Sequence, residues 1–256
     1  MGLLTGKKAV IFGVANDKSI AWAIAEAFKR EGAEIALTYA NDMVAKRVLP
    51  FAEAIGAKLV LPCDVRSDEQ IKTVFSEIGT AWGGFDILVH SVAFANKEEL
   101  KGSFLNTTRD GFALAMDISV YSLIALMKEA APLMQERGGS VLTMTYYGGQ
   151  KVFPNYNVMG VAKAALEASV RYLAESLGSD GIRVNAISAG PLKTLAAAGV
   201  GGFNNIAGHV EEKAPLRRNI SQEEVAGAAL YLCSSLSSGV TGEVHFVDSG
   251  YNIIGL

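Results

Sequence analysis

Seven short apolar runs are spaced along the chain, most of them separated by longer segments with helical spacing. The runs are KAVIFG (8–13), EIALTY (34–39), KLVLPCDV (58–65), FDILVHSVA (85–93), GSVLTMTYY (139–147), IRVNAISAG (182–190) and EVHFVDSG (243–250). They are almost continuously apolar rather than alternating, the pattern of strands covered on both faces. Segments 19–32, 68–83, 109–138 and 156–178 repeat apolar residues every three or four positions and read as helices. Gly32, Gly138 and Gly178 stand where left-handed caps would close three of them. Lys46 and Arg47 fall on a further stretch of helical character. Strand, helix, strand in this rhythm imposes right-handed crossovers, so the expected fold is α/β: one domain over 1–256, a seven-stranded, doubly wound parallel sheet with helices on both faces.

Composition narrows the function by exclusion. The 256 residues are half hydrophobic and carry a formal charge of -3 without a basic stripe, which argues against nucleic acid as a partner. The N-terminal stretch lacks the parts of a leader peptide, and no uncharged apolar run approaches the roughly 18 residues of a membrane span. A cytoplasmic enzyme or binding protein is expected, away from membranes. Cys63 and Cys233 read as free buried thiols, and His90, His209 and His245 show no metal-ligand spacing, so no metal is expected.

In doubly wound sheets ligands lie beyond the carboxyl ends of the strands. Gly13 ends the first run and Ser19 opens the first helix, with Ala15 and Ala21 allowing close backbone approach. The loop GVANDKSIA suits either a pyrophosphate on the helix N-terminus or an ordinary turn with Ser19 as cap. Asp64 suits an adenine amino group, with Val65 on the ring, or simply a turn. Ser91, Val92 and Ala93 offer a small-residue surface after the fourth run. Their succession is what a dinucleotide lying across the sheet needs. Thr38–Asp42 places no cation for a 2′-phosphate, which favours NADH over NADPH.

The uncharged stretch TLAAAGVGGFNNIAG (194–208) breaks the rhythm and reads as a mobile substrate lid. YNVMGVAK (156–163) sets Tyr156 and Lys163 seven positions apart, about 20° from alignment on a helix. They could share a cleft as a proton or oxyanion site, or be a helix-start tyrosine and a lysine snorkelling to solvent.

Taken together, GVANDKSIAW, CDV, HSVAFA, MTYYG, YNVMGVAKAALE, RVNAISAGPLKTLAA and SGVTGEVHFVDSGY resemble the bacterial enoyl-[acyl-carrier-protein] reductases, a divergent branch of the short-chain dehydrogenase/reductase superfamily. The superfamily's usual Tyr-x3-Lys would need a tyrosine at position 159, which is Met159; here the spacing is Tyr156-x6-Lys163, with Tyr146 ten residues earlier. The resemblance implies a single-domain Rossmann fold and NADH-dependent reduction of trans-2-enoyl thioesters on acyl carrier protein, the last reductive step of the type II fatty acid elongation cycle. It implies Tyr156, Lys163 and Tyr146 as catalytic residues, with Lys163 also on the nicotinamide ribose. Cofactor contacts would come from Gly13, Ala15, Ser19, Ile20, Asp64, Val65, Ser91, Ala93, Leu192 and Thr194. The substrate would meet Ala93, Phe94, Tyr146 and Tyr156, with an acyl slot at Met159, Ala196, Val200, Phe203 and Ile206; ordinary core packing competes, especially for Met159. It also implies a homotetramer, with 109–138 and 156–178 as candidate interfaces. Gly201, Asn204 and Asn205 replace basic residues that some relatives carry on the lid, and Ser249 replaces a glycine. Two other readings stand beside this one, a ketone or alcohol oxidoreductase of the same superfamily and a non-catalytic dinucleotide-binding scaffold.

Overall fold

A strand in the middle of a sheet buries both of its faces, and the apolar runs do so here. The computed structural model describes residues 2–195 and 197–255. Its strands are β1 (Lys8–Phe12), β2 (Glu34–Tyr39), β3 (Leu59–Pro62), β4 (Ile87–His90), β5 (Gly139–Thr145), β6 (Ile182–Ala189) and β7 (Val244–Val247). They form one sheet in the order β3-β2-β1-β4-β5-β6-β7, every neighbouring pair parallel. Val10 and Phe12 point into one core with Phe75, Leu88 and Leu166, while Ala9 and Ile11 point into the other with Phe28, Ile35 and Leu142. The strand order turns back between β1 and β4, which leaves a crevice at their carboxyl ends.

Three strands stop three residues before their apolar runs end. β3 ends at Pro62, paired with the last residue of β2, and β4 ends at His90, paired with the last residue of β1. β7 likewise ends at Val247 opposite Ala189. One last ladder bond follows β3 and β4, from the Cys63 amide to the Tyr39 carbonyl and from the Ser91 amide to the Phe12 carbonyl, and there the pairing ends. Asp64, Val65, Ser91, Val92 and Ala93 are therefore loop residues just past the sheet, which is where a ligand would lie.

The helices are α1 (Ile20–Arg30), α2 (Asp42–Ala54), α3 (Asp68–Trp82), α4 (Arg109–Met116), α5 (Ser122–Met134), α6 (Asn157–Gly178), α7 (Phe203–Lys213) and α8 (Gln222–Cys233). The expected single helix over 109–138 is broken by a π turn at Asp117–Tyr121 and ends at Met134. The wider turn serves packing. Ser119 exchanges hydrogen bonds with the backbone of Phe94, at 3.1 and 3.3 Å, and Ser122 meets the ring of buried His90 at 2.8 Å. Arg109–Met134 is long and apolar enough to cross a membrane by length and composition, yet 56% of its apolar 18-residue window is buried in the fold, as in a core helix.

The expected lid loop at 194–208 is helical in its second half, because α7 starts at Phe203 and takes up charge only beyond Gly208. α8 was not anticipated. Its alanine-rich interior carries little periodic signal, although Ser221 and Glu224 close a capping box at its start. Gly32 and Gly138 adopt left-handed φ angles as expected, but Gly178 is the last residue of α6, and Gly181 makes the left-handed turn instead.

Ser249 sits at φ 59 with a buried hydroxyl that has no partner. A left-handed non-glycine residue costs roughly 1–2 kcal/mol and an unsatisfied buried hydroxyl costs more, offset in part by the chain entropy of glycine. Ser249→Gly should therefore stabilise the protein by about 1 kcal/mol, read as a higher urea midpoint at unchanged slope.

Candidate active site

The crevice starts where β1 and β4 end. Gly13 has φ 105, and a side chain there would reach within 2.0 Å of the Ser91 carbonyl oxygen, so only glycine lets the two chain ends touch. Ser19 occupies the cap position of α1, but its hydroxyl accepts from the amides of Ala15 and Asn16, both at 3.0 Å, and gives α1 no cap. Ser19 thus shapes the turn, and the first amides of α1, beginning with Ile20, stay available to an anion. The expected cap by Ser19 does not form, because its hydroxyl is taken up by the loop amides.

Across the mouth lies a cavity of about 690 Å³ between Asn16 and Lys18 of this turn and the segment from Lys193 to Asn205. Thr194, Val200 and Phe203 line it, as expected of lid residues. Ala196 lies outside the described residues. Leu192 is buried against the core, its carbonyl accepting from the Thr194 amide. Ile206 is half-buried on α7 and does not reach the cavity wall. Met159 is buried in the core with Val158 and Leu166, in keeping with the packing reading. Ala93 and Phe94 are exposed beyond β4. Asp64 is engaged as a turn former: Arg66 donates to its carboxylate at 2.5–3.1 Å and holds it below the usual carboxylate range.

Tyr146, Tyr156 and Lys163 meet at the adjoining strand end. Asn155 and Asn157 take left-handed φ angles of 67 and 41, and the bends they make set Tyr156 at the head of α6. Its ring lies 5.0 Å from that of Tyr146, edge to face. Gly148 makes this possible, since a side chain there would come within 2.5 Å of the Tyr156 ring. Burial raises both phenols above their ordinary range, so both stay protonated at neutral pH. Among the described residues the Tyr156 hydroxyl has no hydrogen-bond partner and remains free to donate. Lys163 is buried, which removes the snorkelling alternative, and donates to the Met144 carbonyl at 2.8 Å. Burial lowers its ammonium to about 8, with Glu167 acting in the opposite sense. Among the described residues, two of its three donors have no acceptor.

Several neighbours were not singled out from the sequence. His90, fully buried, bonds Thr143 through Nδ1 and Ser122 through Nε2, and desolvation holds its ring neutral with a pKa of about 3. Glu167 is buried one turn beyond Lys163 on α6. Phe153 and Tyr251 extend the aromatic cluster from Tyr146 towards His209 on α7. Asn155 donates to the Gly201 carbonyl and accepts from the Gly102 amide, tying the lid to the head of α6. A signal existed only for Glu167, an acid four residues after a candidate lysine.

A family described as Enoyl-(Acyl carrier protein) reductase matches residues 13–252. The enoyl-[acyl-carrier-protein] reductase [NADH] 1 of Rhizobium meliloti (strain 1021) is 58% identical over 255 residues, spanning 100% of this chain and 93% of that protein. Among solved structures, the Anaplasma phagocytophilum enoyl-(acyl-carrier-protein) reductase in complex with NAD is similar with a TM-score of 0.96 at 52% identity, covering 100% of this chain and 97% of that one. The Bacillus cereus enoyl-acyl carrier protein reductase, solved with NADP+ and indole naphthyridinone, is similar with a TM-score of 0.97 at 53% identity, covering 100% of both chains.

The buried lysine has a consequence for stability. Its pKa falls from 10.5 to about 8 on folding, so between those values the unfolded chain binds more protons than the folded one. Stability contributed by Lys163 therefore rises with pH across that window. Wild type should gain stability relative to Lys163→Met between pH 8 and 10.5, measured by urea unfolding of both proteins at each pH; a difference independent of pH would show that the lysine is not buried as a titrating group.

Proposed function

The chain belongs to the enoyl-(acyl carrier protein) reductase family, and we propose from that premise that it reduces the carbon–carbon double bond of trans-2-enoyl thioesters on acyl carrier protein, with NADH as reductant. The observation that carries this reading is the free Tyr156 hydroxyl at the head of α6 with buried Lys163 two turns along the same helix, and Met159 rather than a tyrosine in the core.

The residues present suit the dinucleotide. The open amides of α1, the close pass at Gly13 and the small residues Ala15, Ser91 and Ala93 fit a pyrophosphate and its ribose. Val65, Leu192 and Thr194 flank the same strand ends, and the two spare donors of Lys163 suit the nicotinamide ribose hydroxyls. After β2, Asn41 is engaged in capping α2, and Thr38–Asp42 offers no cation to a 2′-phosphate, which favours NADH over NADPH in this chain.

When bound, NADH supplies the hydride for the β-carbon. The protein's task is the negative charge that then gathers on the thioester oxygen. Tyr156 donates its hydroxyl hydrogen bond to that oxygen, and its raised pKa keeps the proton in place across the neutral range. Lys163 adds positive potential from a site of low dielectric. Tyr146 braces the Tyr156 ring, and the exposed Phe94 beyond β4 offers the substrate an apolar contact. Val200 and Phe203 offer an uncharged wall to the acyl chain, in keeping with a lid over 194–208. Exposed Phe112, Tyr121, Val161 and Tyr172 on the long helices support a homotetramer built through those faces, and a cytoplasmic place in type II fatty acid elongation follows from the same reading.

Tyr156→Phe should lower kcat by about 100-fold or more while NADH affinity stays within about twofold, since the hydroxyl acts in the transition state. Lys163→Ala should weaken NADH binding itself. Both are read by absorbance at the NADH band, with trans-2-enoyl and β-ketoacyl thioesters supplied in parallel. Oxidation with the ketone alone would move the chain to ketone reduction, and NADH binding without turnover would leave it a scaffold.

A further inference from the structure

Glu167 has no part in the reaction described above, yet it is only 5 % exposed. A carboxylate so deeply buried requires donors, and it has two: Thr145 Oγ1 donates to Oε1 at 2.8 Å and Gln150 Nε2 donates to Oε2 at 3.1 Å. Thr145 closes β5 and Gln150 ends the turn that follows, so the two donors bracket Tyr146. The carboxylate thereby ties both ends of the Tyr146 turn to α6. Gly149 permits the approach, because a side chain there would lie 3.0 Å from the Ala164 amide and 3.1 Å from Glu167 Oε1. Glu167 also follows Lys163 by four residues, the spacing that puts two side chains on one face of a helix. Lys163 bonds the Met144 carbonyl instead of the carboxylate, so the two charges interact through space.

We propose that Glu167 is a positioning residue for the reduction: its fixed charge keeps Lys163 protonated, and its two hydrogen bonds hold the Tyr146 turn against Tyr156. The inference rests on the assignment of Lys163 to NADH made above. The titratable groups around the pair are His90 from β4, Tyr146 from the turn with Tyr251 behind it, and Tyr156 at the head of α6. His90 is neutral above about pH 3, and both tyrosines keep their protons through the neutral range. β5 contributes no charge. Charged residues on the other elements packed against α6 include Glu99, Asp110, Asp117 and Arg183, and the charge that opposes desolvation at Lys163 is that of Glu167. Lys163 is thus the group that titrates near pH 8, and loss of the Glu167 charge lowers that point further.

The test is NADH affinity, followed by fluorescence from about pH 6 to 9.5, in wild type, Glu167→Gln and Glu167→Asp. Wild-type affinity should fall through about pH 8. In Glu167→Gln the midpoint should move down by about one pH unit, with affinity at pH 6 within about twofold of wild type. Glu167→Asp keeps the charge, and its midpoint should stay within about half a unit of wild type. A Glu167→Gln profile that is weaker at every pH with an unmoved midpoint would mean a merely structural role and overturn the proposal. An aspartate midpoint displaced by a full unit would overturn it as well, and that arm decides the matter even if the glutamine variant does not fold. Absence of any wild-type fall near pH 8 would remove the Lys163 assignment and this inference together, whereas a normal wild-type profile with an unmoved Glu167→Gln midpoint removes the inference alone.

Discussion

The seating of the β5 turn on α6 is the contact on which the rest of the site depends. Gly148, Gly149 and Gly160 remove side chains where the turn meets the helix: a side chain on Gly160 would come within 2.8 Å of the Gly148 carbonyl oxygen, and one on Gly148 within 2.5 Å of the Tyr156 ring. With that volume gone, the turn lies flat on the first two turns of the helix. Tyr146 then meets Tyr156 edge to face, Lys163 reaches back to Met144, and Glu167 collects Thr145 and Gln150. Two phenols, an ammonium and a carboxylate converge because three positions carry no side chain.

Burial gives these groups their properties. Desolvation raises the tyrosines and lowers the lysine, so the phenol remains a donor while the ammonium is held only a little above neutrality. The same low dielectric strengthens every interaction with charge that develops in the crevice. Around this centre the protein uses neutral polar partners: His90 lies between Thr143 and Ser122, and the π turn at Asp117–Tyr121 delivers Ser119 to Phe94 and Ser122 to His90. An unbroken helix would rotate those serines away, because the extra residue of a π turn resets the helical phase.

Particular elements show how far the sequence could be read. β2 was legible to the residue, since its run is bounded by glycine, alanine and turn formers. The ends of β3 and β4 were not, because a strand stops where its neighbour stops, and that is a property of pairs. α8 hid behind alanines that face the β-sheet without a periodic pattern. At the site, Tyr156 and Lys163 could be placed together from helical geometry, whereas Met159 could be assigned to the core only once α6 had a docked face. Phe153, Tyr251 and His209 belong to one aromatic cluster drawn from three distant segments, and spacing along the chain carries no trace of it.

The sequence by itself determined the doubly wound architecture, the crevice at the strand ends and the alignment of Tyr156 with Lys163, because periodicity and short-range geometry are local properties of the chain. Only the tertiary structure decided that Lys163 is buried, that Ser19 leaves α1 uncapped, that Asp64 is taken up by Arg66, and that Glu167 spans the two ends of the Tyr146 turn. Those outcomes depend on which surfaces exclude water and which donors meet across the fold, and neither is encoded in the spacing of residues along one strand or helix.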